Sequence, residues 1–177
     1  MGDYITTYTG IHFTPTEPNK DDICIKDIAH ALSLVCRGNG HTNRFFSVGQ
    51  HCINCSKEAA ARGYSKKVQL IALLHDASEA YMSDITRPFK RHLSDYIEFE
   101  NVLQSLIYKK YILETIEAKE EEQVKSIDDD MLYYELKELM NEVTLPMPPA
   151  MSSNICLRTS EFEKVEYEFL DIYNTLI

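Results

Sequence analysis

Val68-Gln69-Leu70-Ile71-Ala72-Leu73-Leu74-His75-Asp76-Ala77-Ser78-Glu79 sets Val68, Ile71, Ala72, His75 and Glu79 three and four residues apart. An α-helix returns side chains to one face at that interval. The same period continues outward. Upstream it aligns Val48, His51, Cys52, Cys55 and Ala59; downstream it aligns Val124, Ile127, Asp128, Met131 and Glu135. From about Ile25 onward apolar residues recur this way almost throughout, predicting helices near 25–36, 46–62, 66–81, 92–117, 119–143 and 159–175. Residues 4–13 differ: they are β-branched and aromatic, alternate loosely and contain Gly10, which predicts a short hairpin. Pro15 and Pro18 then break the chain, and Pro146-Met-Pro-Pro149 reads as a loop. The expected fold class is all-α, a helical bundle with a small N-terminal β hairpin.

A chain of 177 residues is most simply one domain, here residues 1–177, with an N-terminal extension over 1–20 and a C-terminal extension over 144–177 that carries no readable motif. The net charge of −10 is uneven: residues 1–110 hold 13 Lys/Arg against 12 Asp/Glu, and residues 111–177 hold 5 against 16. That balance argues against wrapping a nucleic-acid duplex, which needs a basic footprint. It leaves room for a small phosphorylated ligand, because Arg37, Arg44, Arg87, Lys90 and Arg91 fall close to the histidine motifs. No apolar run approaches the roughly 20 residues that span a membrane. The chain opens Met1-Gly2-Asp3-Tyr4, without the order of a secretory signal, and its five cysteines are an odd number. These features lead to the expectation of a cytoplasmic protein.

Each of the three stripes is interrupted by a group that costs free energy to bury unless it is paired or metal-bound. A single histidine on an apolar stripe is more often a hydrogen-bonded core residue than a ligand. Three interrupted stripes in one small domain favour a shared site. If His51, the adjacent His75 and Asp76, and Asp128 meet, they form a two-histidine, two-carboxylate set. That set suits Mn²⁺, Co²⁺, Fe²⁺ or Zn²⁺ with positions left open for water, the arrangement used in metal-assisted hydrolysis.

The ordered segments Ile25-Lys-Asp-Ile-Ala-His-Ala-Leu32, Cys36-Arg-Gly-Asn-Gly-His41, Ser47-Val-Gly-Gln-His51, Leu74-His-Asp-Ala-Ser-Glu-Ala80, Asp84-Ile-Thr-Arg-Pro-Phe-Lys90 and Val124-Lys-Ser-Ile-Asp128 resemble the HD-domain metal-dependent phosphohydrolases. They are similar to a small bacterial and phage branch near the HD-type 5′-deoxynucleotidases and dNTP triphosphohydrolases, and the resemblance covers most of residues 1–140. It implies an HD-type bundle and metal ligation by His51, His75, Asp76 and Asp128. It implies that Glu79 serves the attacking water, that Asp84 holds a sugar hydroxyl and that Arg37 approaches the phosphate. Arg44 and Lys90 are further candidate substrate contacts. Asp129 and Asp130 read as a solvated helix face or as braces for a ligand. A homo-oligomer is expected from the relatives.

The chain departs from those relatives at Gly38, where they carry an aromatic residue. Each assignment has a bland counterpart: Glu79 as a surface ion pair, Asp84 as a helix cap, Arg44 and His41 as surface groups. The Cys52-x-x-Cys55 pair reads as small-residue packing, since no βαβ context supports a redox motif. The expected function is hydrolysis of a phosphoester or phosphoanhydride in a nucleotide, above all a deoxynucleotide. Another phosphorylated substrate, a non-catalytic nucleotide-binding module and a metal-free oligomerisation domain stay open.

Overall fold

The computed structural model describes residues 3–142 and 144–177; Met1, Gly2 and Val143, and with them the outer limits of the predicted N-terminal extension and of the predicted helix 119–143, lie outside the described residues. A two-stranded antiparallel hairpin, β1 (Ile5–Thr6) and β2 (His12–Phe13), opens the chain. The remainder is helical: α1 (Ile25–Leu34), α2 (Val48–Ala61), α3 (Lys66–Leu74), α4 (Glu79–Met82), α5 (Arg87–Lys90), α6 (Ser94–Tyr111), α7 (Ala118–Met140) and α8 (Phe162–Leu176). Short 3₁₀ turns cover Lys20–Asp22 and Arg37–Gly40. The fold is the expected all-α bundle with a small β hairpin.

The bundle is organised around α2. Ser47 and Gln50 form a reciprocal capping box that fixes its start. Every residue from Val48 to Ser56 is buried, as are Glu58 and Ala59, because α1, α3, α7 and α8 all pack against this helix. Gly49 marks the tightest approach: a Cβ there would meet Val165 Cγ1 at 3.0 Å and the Leu32 carbonyl oxygen at 3.1 Å. A helix surrounded in this way places its polar residues in the interior, where each needs a partner.

The predicted helix 66–81 is two helices. α3 ends at Leu74, residues 75–78 form turns, and α4 restarts at Glu79. The cause is Gln104 on α6. Its Nε2 donates to the Leu74 carbonyl at 2.8 Å, and its Oε1 accepts from Ser78 N at 3.1 Å. Those two groups would bond each other in an uninterrupted helix, so a side-chain amide is inserted in the ladder. His75 and Asp76 therefore sit at a helix end, and Glu79 does not lie one regular turn beyond His75. Helix α5 was not foreseen: Pro88 sits in its first turn, where a missing N–H is tolerated, so the proline starts a helix instead of breaking one.

The C-terminal residues belong to the bundle. Val165 and Phe169 of α8 are buried in the same apolar cluster as Phe13, Ile28, Leu32, Ile71, Leu103 and Ile127. The connecting segment is held along α2 by Gln50, Asn54 and Glu58, which recur at four-residue intervals. Gln50 Nε2 donates to the Arg158 carbonyl at 2.8 Å, and Asn54 Nδ2 to the Cys156 carbonyl at 3.0 Å. Glu58 accepts from Ser152 N, Ser153 N and Ser153 Oγ at 2.7–2.9 Å and pairs with Arg62 at 2.8 Å.

Candidate metal centre

Three helices meet at one point. His51 comes from the middle of α2, His75 and Asp76 from the end of α3, and Asp128 from α7. His51 Nε2 lies 3.1 Å from His75 Nε2, 3.6 Å from Asp76 Oδ2 and 3.2 Å from Asp128 Oδ1. His75 Nε2 lies 3.4 Å from Asp76 Oδ2 and 3.8 Å from Asp128 Oδ1. Two donors about 2.1 Å from one ion stand roughly 3.0–3.4 Å apart at octahedral or tetrahedral angles. The His51–His75, His51–Asp128 and His75–Asp76 separations fall in that range, and the other two are a few tenths of an ångström longer.

The outer nitrogens of both imidazoles are already engaged. His75 Nδ1 donates to the Ala72 carbonyl at 2.7 Å, and His51 Nδ1 donates to Glu135 Oε1 at 2.7 Å. In the neutral tautomers this leaves two Nε2 lone pairs facing each other across 3.1 Å, repulsive unless a proton or a cation lies between them. The residues fit a metal on that ground. The carboxylate behind His51 gives the familiar arrangement in which an outer partner orients a ligating imidazole. Cys52 and Cys55 are wholly buried beside this set, and buried His, Cys and Asp groups here could hold a metal ion.

Electrostatics reinforce the grouping. Burial alone would lower the basicity of His75, but Asp76 and Asp128 outweigh it and raise its pKa. Desolvation pushes Asp128 up, yet the imidazoles of His51 and His75, when protonated at Nε2, hold it well below the usual carboxylate range. Burial likewise works against the Arg37 cation, and the carboxylates of Glu135, Asp76, Glu79 and Asp84 more than restore it.

Arg37 stands over the centre from the 3₁₀ turn, 3.4 Å from Asp76 Oδ2, 3.2 Å from Glu135 Oε2 and 3.8 Å from Asp84 Oδ2. Asp84 is buried and accepts from Gly38 N at 3.0 Å, so it ties this turn down and caps no helix. Gly38 has φ of +59°, and a Cβ there would lie 2.3 Å from Met140 Cε. The positive φ explains why glycine is favoured at this position, since the Met140 tip is a flexible side-chain end that can move aside.

Glu79 is the exception to good pairing. It is buried, and its Oε2 is the one buried side-chain polar atom without a hydrogen-bond partner among the described residues. Burial first, and then the charges of Asp76 and Asp84, raise its pKa well above the ordinary carboxyl value.

The other predicted contacts lie farther out. Lys90 bonds Glu100 at 2.5 Å. Arg44 pairs with Glu138 at 3.1 Å and lines an open cleft of about 360 Å³ with Tyr134, Lys137 and Arg158. Asp129 pairs with Arg87 and Lys125, and Asp130 with Arg62. From sequence Glu135 has only a place on an apolar stripe and Arg87 only a place in the basic cluster. Glu135, two turns after Asp128, braces His51; its place on the same stripe was the available signal. Arg87 reaches Asp128 Oδ2 at 2.5 Å and Asp129 Oδ1 at 3.0 Å, a pairing between α5 and α7 that no local pattern announces.

The chain is 40% identical over 136 residues to the uncharacterized protein YfdR of Escherichia coli, a match covering 77% of this chain and 72% of that protein. The chain belongs to the YfdR family. It is also 34% identical over 106 residues to an uncharacterized protein of Rhodobacter capsulatus, across 56% of this chain and 54% of that relative's length. No protein-family model matches the chain. Among the described residues no helix is long and apolar enough to cross a membrane.

Proposed function

We propose that this YfdR-family chain is a metal-dependent phosphohydrolase of HD type that acts on nucleotides, above all deoxynucleotides. One observation carries the reading: the Nε2 atoms of His51 and His75 converge with Asp76 and Asp128 beside a buried Glu79 whose Oε2 has no hydrogen-bond partner. His51, His75, Asp76 and Asp128 would hold a divalent ion such as Mn²⁺, Co²⁺, Fe²⁺ or Zn²⁺. When bound, the ion supplies Lewis-acid polarisation of a phosphoryl oxygen and makes water more acidic.

The protein groups divide the remaining work. Glu79 Oε2 is free to accept a proton from the attacking water, and the raised pKa of the carboxyl equips it to return that proton to the leaving oxygen. Arg37 brings a planar array of donors to the growing charge on phosphate. Asp84, held beside Arg37, is the candidate acceptor for a sugar hydroxyl, which would favour a nucleotide over inorganic phosphate. Gly38 offers no side chain of its own, so recognition of the base rests on other residues.

The test is product analysis by mass on deoxy- and ribonucleoside mono-, di- and triphosphates with Mn²⁺ or Co²⁺. Metal-dependent conversion is expected, and the released fragment identifies the bond cut. Stoichiometric metal with no turnover of any nucleotide would overturn the assignment in favour of another phosphorylated substrate or a binding module.

A further inference from the structure

The imidazoles of the metal centre face sulfur as well as oxygen. Cys55 follows His51 by one turn of α2 and is wholly buried. Its Sγ lies 3.6 Å from His51 Nε2, the nitrogen that faces His75 across 3.1 Å. Donor atoms of His51, Cys55 and His75 all lie within 4.8 Å of one another. Around a tetrahedral ion, a thiolate at about 2.3 Å and an imidazole nitrogen at about 2.05 Å stand roughly 3.5 Å apart. Asp76 and Asp128 supply oxygen near the same two nitrogens, at 3.2–3.8 Å. Two donor sets therefore share one pair of histidines, one set hard and one soft.

We propose that Cys55 is an alternative ligand, which draws thiophilic divalent ions into a His51–His75–Cys55 set in competition with hard ions held through Asp76 and Asp128. This rests on the metal-centre reading above and adds a ligand and a selectivity to it. In the soft mode the Cys55 sulfur gives an electron pair to the ion, its S–H proton passes to solvent, and no atom changes oxidation state. Soft ligands select zinc and its heavier relatives, and carboxylates favour manganese, so the two modes separate ions by chemistry. Cys52 groups with His75 and Asp76 instead, which gives an internal control.

The experiment adds Co²⁺ to the metal-free full-length chain and records its absorption spectrum. A near-ultraviolet sulfur-to-cobalt charge-transfer band is expected beside the visible ligand-field bands. The band should vanish in Cys55→Ser and persist in Cys52→Ser. In Cys55→Ser, Cd²⁺ affinity should fall by more than the roughly 10–100-fold typical of losing an outer-shell partner, with Mn²⁺ affinity changed far less. Ligand-field bands without charge transfer in the unmodified protein would overturn the proposal while leaving the metal centre standing. A band that follows Cys52 would also overturn it. A protein that binds no stoichiometric cobalt would sink both readings together.

Discussion

Helix α2 carries two buried polar clusters on different faces, and their contrast separates scaffold from site. On one face Gln50, Asn54 and Glu58 hold the segment 152–158, with every interaction matched donor to acceptor. On the other, His51 Nε2 stands 3.1 Å from His75 Nε2, carboxylates crowd around both rings, and Glu79 Oε2 has no partner. Both clusters are buried and both depend on charge. Only the second contains a buried polar atom, Glu79 Oε2, without a partner among the described residues. A buried polar atom left without a protein partner is where a bound water, ion or substrate finds a place.

The comparison can be broken most sharply at Asp128. Asp128→Ala should abolish stoichiometric metal binding and turnover together while leaving the helical content unchanged; full activity in that variant would place the reaction elsewhere. Glu79→Ala should keep the metal and lower the rate by roughly 10²–10⁴-fold, the usual scale for a general acid or base. A rate equal to that of the unmodified protein would remove Glu79 from the chemistry. Glu135→Gln removes the charge that orients His51, and metal affinity should drop roughly 10–100-fold. Calorimetric titration would expose an unaffected affinity, and with it a purely structural Glu135.

The scaffold cluster should behave in the opposite manner. Opposing the desolvation that would raise it, hydrogen bonds from Ser152, Arg62 and Ser153 lower the Glu58 pKa from 4.5 to about 2. A folded-state pKa below the unfolded value gives stability that is complete above about pH 4.5 and disappears as pH falls toward 2. That shift corresponds to about 3 kcal/mol. Glu58→Gln should therefore destabilise the protein at neutral pH, with a gap to the unmodified chain that narrows in acid, and should leave turnover per folded molecule unchanged. Denaturant unfolding at several pH values checks this; a gap independent of pH would deny Glu58 its electrostatic role.

The bundle was legible because its signal is local. The spacing of Val48, His51, Cys52, Cys55 and Ala59 predicts α2 to within two residues at its start and one at its end. The end of α7 at Met140 follows from Asn141 in the left-handed conformation that commonly closes helices. The break after Leu74 was not legible, since Gln104 causes it from 30 positions away along the chain. The site divides in the same way. His51, His75, Asp76 and Asp128 each interrupt or adjoin an apolar stripe and were readable one helix at a time. The Glu135 contact to His51 spans 84 positions, and Arg87 reaches Asp128 across 41, so the partners themselves emerge from the packing of α2, α5 and α7. The C-terminal segment offered no motif because its polar partners lie far away along the chain, on α2 above all and also on α1, α3 and α7.

The central claim is that the unsatisfied face of α2 is a metal site and the satisfied face is not. Calorimetric titration of Mn²⁺ into the metal-free chain, beside Asp128→Ala and Glu58→Gln, tests it most directly. The account predicts stoichiometric binding to the unmodified chain and to Glu58→Gln, and none to Asp128→Ala. Equal binding by all three proteins, or by none, would contradict it.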